Sequence, residues 1–502
     1  MNKPVQEPIK QQRPYFLILL PIFFVLHGCL ENFGFISFKD SLTLTASYLI
    51  MSLLIYLFSF LFFKNRTRAA LIATLWMAVF FFFGALHDFL RENSSVKFFS
   101  RYSILLPVVL LFLVWLFIFL KKTPKRFSRF TIFLNTLLVI YIVIDGIMIL
   151  TKEFQSRSNT LSVYNFEKDQ KFIRCDTCNR PDIYFLLFDE YAGSTTLKRK
   201  YNYDNKIDTF FASKGFAVQS ESRSNYNFTV ASMAAIFNLK YVTIIKDANA
   251  VTAEDYGNCD LLIRNNSVIR FLDVQGYQIH NFSIFNMAGH PSMGTQTLLP
   301  LQTKLITERT LFARLNKDMG WILRVTYPFN RFVKNNLFKT LKNDQLFMNL
   351  VKEESKKKQK QPRFIYAHLN MPHPPFFFDK NLHVKDDQSI MEEFKSIPTS
   401  AYLDYLNYTN AQLQDLVNTI LGNNPSAVIV IMGDHGFRTP LETGSHDHLF
   451  KTMNAVYFPD RDYKTLYDSI SGVNQFRVIF NKIWHQNFPL LRDSVTYLRD
   501  KN

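Results

Sequence analysis

The sequence predicts an α/β protein with a bundle of five transmembrane helices at its N-terminus, followed by a domain with a mostly parallel central sheet. Three observations support this fold class. The first 150 residues contain five long apolar runs. Beyond residue 181, short apolar segments alternate with helical patterns, which is typical of α/β domains. Two of these segments end in residues of the kind that bind metal ions, and parallel sheets place their ligand sites at such strand ends.

The apolar runs of the N-terminal part are each close to the roughly 20 residues that cross the hydrocarbon core of a bilayer. The first run is too long, and too quickly followed by the next, to be a cleaved signal peptide. We therefore predict a transmembrane domain over residues 1–151 rather than a buried helical bundle. The five predicted spans cover about residues 14–34, 43–63, 69–90, 103–121 and 130–150.

The charges of the short loops predict the orientation of these spans. Lysine and arginine are concentrated in the N-terminal tail and in the second and fourth loops. The positive-inside rule places these segments in the cytoplasm. Five crossings then leave everything after about Lys152 on the extracytoplasmic side.

The formal net charge of +17 has two sources. One part lies in the cytoplasmic loops, where it faces anionic lipid. Another part is the run over residues 351–363 (VKEESKKKQKQPR), which is either a solvated helix or linker or a surface for an anionic partner. The sequence contains no nucleic-acid-binding motif, so we expect no nucleic-acid partner.

The polar stretch over residues 152–180 predicts a linker, and residues 181–502 predict the extracytoplasmic domain. Its strands and helices follow from the two-residue and 3.6-residue apolar periods. The aromatic segment 300–350 is interpreted as an insertion that rests on the membrane or on the core. The predicted strands are 183–188, 215–218, 277–282, 364–369, 427–432 and 454–458, and the predicted helices include 203–213, 229–238, 264–274 and 400–421.

Two cysteines, Cys175 and Cys178, form a C-x-x-C motif just before the first predicted strand. A disulfide is expected outside the cytoplasm, either between these two or between one of them and Cys259. A zinc knuckle would need a second pair of ligands, which the sequence does not contain.

Asp189 and Glu190 follow the apolar strand 183–188. Two adjacent carboxylates repel each other unless a cation neutralises them. We predict Asp189 as a metal ligand and keep Glu190 as a second candidate. The competing interpretation is a helix N-cap, a position at which aspartate is common.

The motif Asp434-His435-Gly436 follows another apolar strand, 427–432. An oxygen ligand and a nitrogen ligand on consecutive residues can reach one divalent ion, and Gly436 permits a sharp turn there. A solvated turn after the strand is the alternative.

Thr229 precedes a helix rich in small residues. At that helix N-terminus its hydroxyl would lie beside backbone N–H groups that can bind phosphate oxygens. Metal coordination would make this hydroxyl a nucleophile. A plain N-cap threonine is the alternative role, and Ser232, one turn further on, is the second candidate nucleophile.

Four histidines form a further group of candidates. His368 and His373 flank Asn370-Met-Pro372 after strand 364–369, in a loop that further prolines stiffen. We predict that His373 acts on the leaving or accepting group and that His368 binds substrate. His446 and His448 come 12 and 14 residues after Asp434, close enough to fold back over the same site as substrate-binding residues. Each of them taken alone is also compatible with an ordinary loop histidine.

These residues resemble the motifs of the alkaline phosphatase superfamily, and most closely its sulfatase-like membrane branch of lipoteichoic acid synthases and lipid A phosphoethanolamine transferases. Asp189 matches the acidic metal ligand at a strand end, and Asp434-His435 matches the D-H-G metal pair. Thr229 in T-V-A-S-M is similar to the nucleophilic threonine of a T-x-x-S motif, and His373 in H-P-P-F is similar to the histidine of an H-x-P-F substrate loop. The resemblance implies five membrane helices and an outward-facing, sulfatase-like catalytic domain.

The sequence departs from the family at two points. Asp189-Glu190 stands where the transferases carry a single Glu. No C-x-P-S-R or S-x-P-x-R sequence occurs, so the formylglycine nucleophile of true sulfatases is not expected.

Residues and resemblance together predict a membrane-anchored, metal-dependent phosphotransferase of the bacterial inner membrane, with its catalytic domain on the periplasmic side. Thr229 would take a phospho-headgroup from a phospholipid donor and pass it to an envelope glycan or lipid. One or two divalent ions are expected, and the oxygen and nitrogen ligands suit Mn²⁺, Zn²⁺ or Mg²⁺ alike. Two alternatives stay open: a hydrolase of phosphoric or sulfuric esters, and a non-catalytic envelope protein that keeps the fold.

Overall fold

The computed structural model of the protein describes residues 12–33, 36–93, 95–124, 127–159, 172–294, 303–316, 338–438 and 445–500. The chain divides into two compact units. The first comprises Met1–Thr160 with Gln296–Thr326, and the second comprises Leu161–Thr295 with Tyr327–Asn502. They are called the helical unit and the α/β unit below.

The helical unit contains one helix for each predicted membrane span. They are α1 (Phe16–Glu31), α2 (Phe38–Phe63), α3 (Arg66–Glu92), α4 (Tyr102–Lys122) and α5 (Ser128–Asn159). Helices α2 to α5 are long and apolar enough to cross a membrane, whereas α1 has only 16 residues. Because α5 continues to Asn159, residues 152–159 of the predicted linker are helical, and residues 160–171 lie outside the described residues.

Part of the predicted insertion at residues 300–350 belongs to the helical unit. Its short helix Lys304–Thr307 places Ile306 against α1, where a Cβ on Gly28 would approach the Ile306 side chain to 2.8 Å. The N–H of Gly84 in α3 donates to the carbonyl of Arg309 at 2.8 Å. Residues 317–337 lie outside the described residues, and the helix Lys339–Lys356 belongs to the α/β unit. Different parts of the segment therefore pack in different units.

The α/β unit is built on a six-stranded sheet in the order β2-β6-β5-β1-β4-β3. Strands β5, β1, β4 and β3 are parallel, and β6 and β2 add two antiparallel pairings at one side. The predicted fold class, a mostly parallel sheet after apolar N-terminal helices, is confirmed. The strands are β1 (Ile183–Phe188), β2 (Ala217–Val218), β3 (Gln278–Phe282), β4 (Arg363–Leu369), β5 (Val428–Gly433) and β6 (Asn454–Tyr457).

Every residue of β1, β4 and β5 is buried, as expected for central strands of a parallel sheet covered on both faces. Alternate residues of β1 face two apolar cores: Tyr184, Leu186 and Phe188 face one, and Ile183, Phe185 and Leu187 face the other. The helix Thr399–Asn423 contributes to the first core, and the helices Thr229–Asn238 and Gly472–Trp484 contribute to the second.

Several element boundaries differ from the predicted ones because of local turn chemistry. The predicted helix 203–213 is divided between Ser194–Tyr201 and Ile207–Lys214, since Asn202 takes a left-handed conformation that ends the first helix. The predicted helix 264–274 is divided between Ala253–Arg264 and Ser267–Val274. Here the side chain of Asn266 accepts a hydrogen bond from the N–H of Ile269 and caps the second helix.

Other predicted helices agree closely with the structure, which has Thr229–Asn238 and Thr399–Asn423. Helices outside the predicted set also occur at Lys339–Lys356, Asp387–Ser396 and Gly472–Trp484. Of the two disulfides left open, Cys175–Cys178 is formed, with a Cα–Cα distance of 5.4 Å, while Cys259 is free and buried.

Phe185 is the centre of an aromatic cluster in the second core, and we expect its truncation to destabilise the α/β unit. The ring is fully buried and lies 5.1–5.9 Å from the rings of Phe237, Tyr366 and Phe476. Phe185→Ala should cost about 3–5 kcal/mol of unfolding free energy, measured by chemical denaturation. Leu490→Ala, at a position 48% exposed, is the control. Equal losses in the two variants would contradict the assigned core.

Candidate active site

The in-register pairing of three parallel strands brings the candidate metal ligands together. Phe188, the last residue of β1, pairs with Leu369 of β4 on one side and with Gly433 of β5 on the other. The residues that follow these strands therefore leave the sheet at the same edge. Asp189 and Asp434 are two of them, which explains how residues almost 250 positions apart in the chain become neighbours.

Asp189, Asp434 and His435 form a buried group whose ligand atoms all lie within 4.8 Å of one another. The Nε2 atom of His435 is 3.6 Å from Asp189 Oδ1 and 3.5 Å from Asp434 Oδ2. The other oxygen of Asp434 accepts hydrogen bonds from the backbone N–H groups of Glu190 (3.0 Å) and His435 (2.8 Å). These bonds orient the carboxylate so that Oδ2 faces the group.

The chemistry of this group fits a divalent metal ion. Asp189 Oδ1 and Asp434 Oδ2 are buried and have no hydrogen-bond partner among the described residues. Burial, together with the charges of Asp434 and Glu190, raises the pKa of Asp189 well above its usual value. Burial also lowers the pKa of His435 to about 3, so the imidazole is a neutral nitrogen ligand. A cation would offset the repulsion between the carboxylates and satisfy both orphaned oxygens.

Thr229 lies at the edge of this group, with Oγ1 at 3.3 Å from His435 Nε2. It is the first residue of the helix Thr229–Asn238, whose N-cap is Phe228, so the alternative of a plain N-cap threonine is wrong. The second candidate nucleophile is committed elsewhere: Ser232 is buried, and its hydroxyl donates to the carbonyl of Tyr226 at 2.9 Å. The hydroxyl that reaches the group is therefore that of Thr229.

Glu190 faces away from the three-residue group. Its backbone has a φ of 59°, in the left-handed region that non-glycine residues seldom adopt. Its carboxylate accepts a hydrogen bond from Arg438 Nε at 2.5 Å, and its Oε1 lies 4.0 Å from His373 Nε2. Of the two adjacent acids, Asp189 therefore faces His435, and Glu190 faces Arg438 and His373.

His373 lies in the loop after β4, and its hydrogen bonds define its tautomer. Its Nδ1 is 2.6 Å from the carbonyl of Pro374, which can only accept, so Nδ1 carries the proton. The Nε2 lone pair then accepts from Arg438 Nη2 at 3.3 Å. The ring thus presents a proton acceptor toward the site.

The loop that carries His373 is held by the carboxyl group of Asp344, on the helix Lys339–Lys356. Oδ1 of Asp344 accepts from the N–H of Asn370 at 2.8 Å, and the N–H of Met371 also bonds to this carboxyl. Oδ2 is buried without a partner among the described residues. Burial raises the pKa of Asp344 to about 8, so the buried carboxyl is neutral at pH 7.

The other predicted histidines are further from solvent or held by other contacts. His368 is only 2% exposed, and its Nδ1 lies 2.9 Å from the hydroxyl of Tyr366. Burial lowers its pKa to about 4. It is packed inside the α/β unit rather than on an open surface, which does not favour direct substrate binding. The ring of His446 stacks on Tyr497 at 4.0 Å.

The segment with His446 and His448 does fold back over the metal-ligand motif, as predicted. The N–H of Gly436 donates to the carbonyl of Leu449 at 2.7 Å. A Cβ on Gly436 would lie 2.3 Å from the backbone oxygen of His448. The glycine is thus required by the close approach of another backbone segment.

Two residues of this region, Arg438 and Asp344, escaped the sequence analysis. Arg438 follows His435 by three positions, and a basic residue so close to a metal-ligand motif is a weak signal that could have been noticed. Asp344 lies on an amphipathic helix, and its sequence context carries no signal for a contact with the His373 loop.

The buried Asp–Asp–His group and the adjacent hydroxyl, at the C-terminal edge of an α/β sheet, define a protein of the alkaline phosphatase superfamily. The model of the sulfatase family matches residues 203–487, which is more than half of the chain. The chain therefore belongs to the sulfatase family. The matched stretch contains Thr229, His373 and Asp434-His435, while Asp189 precedes it.

Similar solved structures have low sequence identity. The periplasmic domain of EptC from Escherichia coli has a TM-score of 0.39 at 11% identity, covering 65% of this chain and 91% of that domain. That of the phosphoethanolamine transferase EptC from Campylobacter jejuni has a TM-score of 0.39 at 11% identity, covering 64% and 94%. The putative sulfatase yidJ from Bacteroides fragilis has a TM-score of 0.38 at 12% identity, covering 62% and 76%. No curated protein sequence matches the chain.

We expect Gly436→Ala to disrupt the site. The new methyl group would collide with the His448 carbonyl, and the backbone next to His435 must move, at a cost of about 1–3 kcal/mol. Thermal unfolding and metal content by mass spectrometry measure this effect, and both should fall. The control is Gly422→Ala, where an added Cβ meets nothing within 4 Å. Unchanged metal content and stability in Gly436→Ala would contradict the close approach.

The raised pKa of Asp344 predicts a specific pH dependence of stability. The folded state holds a proton that the unfolded state releases near pH 4, so the contribution of this group is full below that pH and is lost as pH rises through about 8. Asp344→Asn keeps the accepting oxygen without the titration. Between pH 5 and 9 the wild type should lose stability relative to this variant, by on the order of a few kcal/mol. Parallel denaturation curves at all pH values would refute the prediction.

Proposed function

We propose that the protein is a membrane-anchored, metal-dependent phosphotransferase that moves a phospho-headgroup from a lipid donor to an envelope glycan or lipid through a covalent phosphothreonine. One observation carries the proposal: the hydroxyl of Thr229 lies 3.3 Å from His435 Nε2, at the edge of the buried Asp–Asp–His group. A hydroxyl at that place suits nucleophilic attack on a phosphorus or sulfur centre.

In the first step, Thr229 Oγ1 forms a bond to the phosphorus of the donor, and the bond from phosphorus to the lipid oxygen breaks. The hydroxyl proton of Thr229 ends on that lipid oxygen. In the second step, the acceptor hydroxyl forms a bond to the same phosphorus, the bond to Thr229 breaks, and the acceptor proton returns to Thr229. Both steps balance without a further reactant.

Asp189, Asp434, His435 and Thr229 would hold a divalent ion, and the ion supplies positive charge that stabilises the phosphate and lowers the pKa of the hydroxyl. The ligand set accommodates Mn²⁺, Zn²⁺ or Mg²⁺. His373 acts on the alcohols: its Nε2 lone pair takes the proton of the acceptor hydroxyl, while its Nδ1–H remains bonded to the Pro374 carbonyl.

The substrates follow from the anchor. Four helices long and apolar enough to cross a bilayer tether the α/β unit to lipid, and the positive-inside pattern supports its position outside the cytoplasm. This favours a phospholipid as donor and an envelope glycan or lipid as acceptor, at the bacterial inner membrane. Membership of the sulfatase family favours a second candidate function, hydrolysis of a phosphoric or sulfuric ester, in which water takes the place of the acceptor.

Incubation of the purified protein with total envelope lipid is expected to add a phospho-headgroup to Thr229, detected by peptide mass spectrometry. Thr229→Ala should lose the adduct and reduce turnover by at least about 10³-fold, because the nucleophile is removed. Thr229→Ser should keep part of both, and Ser232→Ala, which changes only a structural hydroxyl, should still form the adduct. An adduct on Ser232, or none with undiminished turnover, would refute the proposal. Turnover with and without an added acceptor separates transfer from hydrolysis.

A further inference from the structure

Arg438 is an arginine held on two sides beside the nucleophile. Its Nε donates to Glu190 Oε1 at 2.5 Å, and its Nη2 donates to His373 Nε2 at 3.3 Å. The guanidinium carbon lies 6.0 Å from the ring centroid of Phe228, the residue that precedes Thr229. Arg438 therefore spans the distance between the proton acceptor and the helix that carries the hydroxyl.

The bonding of this guanidinium is incomplete. Two of its three nitrogens have partners, whereas Nη1 has no partner among the described residues. The side chain is 33% exposed, so the remaining N–H groups point to an open part of the site. Arginine offers five N–H donors in a planar fork that matches the oxygens of a phosphate group.

Glu190 is arranged to hold Arg438, and its own backbone conformation is strained for this purpose. A non-glycine residue in the left-handed region costs about 1–2 kcal/mol and persists only where its surroundings impose it. Here its N–H donates to Asp434 Oδ1 at 3.0 Å, and its carbonyl accepts from the hydroxyl of Tyr402 at 2.9 Å. These bonds turn the buried carboxylate away from Asp189 and toward the arginine.

The charges around Arg438 favour its cationic form. Burial opposes the charge, but the carboxylates of Glu190, Asp189 and Asp434 outweigh it and raise the pKa of Arg438. Glu190 is the carboxylate in direct contact. The pair is consequently neutral as a unit, and an incoming oxyanion restores the excess of negative charge that the metal-ligand group can balance only with a bound cation.

From these contacts we infer that Arg438 binds the non-bridging oxygens of the phosphate under attack, and that Glu190 is the positioning residue that aims it. The inference deepens the proposed function, on which it rests for the identity of the reacting group. The ligand chemistry is a tetrahedral oxyanion, which either a lipid headgroup or free inorganic phosphate supplies. Because the fork is planar and fixed on two sides, lysine should not replace arginine.

The first test is binding of inorganic phosphate to the purified full-length protein in detergent, followed by isothermal titration calorimetry. Arg438→Gln and Arg438→Lys should each weaken phosphate binding by about 10- to 100-fold, the usual effect of losing a charge-assisted hydrogen bond. Glu190→Gln should weaken it less, since the arginine remains. Arg461→Gln is the control, because Arg461 lies over the ring of Tyr457 and bonds to the Lys214 carbonyl, away from the site.

The second test uses lipid vesicles that contain the natural envelope phospholipids, and it measures KM and kcat for loss of headgroup from the lipid. Arg438→Gln should raise KM and lower kcat, while its metal content and thermal unfolding stay at the wild-type level. Glu190→Gln should shift kcat/KM in the same direction with unchanged metal content. A purely structural role of the pair would lower stability without changing KM.

The results separate this inference from the proposed function. Wild-type phosphate affinity in Arg438→Gln, or a loss of metal in that variant, would overturn the inference. Absence of phosphate binding by the wild type would also overturn it. If instead binding depends on Arg438 while Thr229 never carries an adduct, the oxyanion site stands and the phosphothreonine mechanism fails.

Discussion

The parallel, in-register pairing of β1 with β4 and β5 is the constraint on which the candidate site depends. Each pair of strands ends at the same level, so Asp189, Asn370 and Asp434 leave the sheet side by side. The buried apolar residues of the strands enforce this register, because a slip by one residue would move every side chain to the opposite face. The chemistry at the edge therefore inherits its accuracy from the two apolar cores beneath it.

The edge of the sheet concentrates three buried acids, and the surrounding structure divides them into two tasks. Asp189 and Asp434 face His435 and keep one oxygen each without a partner among the described residues. Glu190 is turned by its left-handed backbone to Arg438 and His373. A metal-ligand group and an ion pair thus share one small volume, which lets a phosphate meet cationic partners from two directions.

Much of the site was accessible to sequence analysis because its residues lie where regular structure ends. Asp189 and Asp434-His435 follow strands whose apolar composition is unmistakable, and Thr229 begins a helix predicted with its observed bounds. Arg438 and Asp344 were missed, because the first lies in irregular chain after Gly436 and the second lies on a helix outside the predicted set. Asn202 and Asn266 divided two predicted helices through left-handed and capping conformations that apolar periodicity does not encode.

The sequence by itself determined the membrane helices, the order of the strands along the chain, the family and the residue types available for chemistry, because apolar length and period are local properties. Tertiary structure decided which acid of Asp189-Glu190 faces His435, which hydroxyl reaches the group, and that Gly436 is needed for a close backbone approach rather than for a left-handed turn. These outcomes depend on contacts between segments far apart in the chain. Their geometry follows only when both cores are packed.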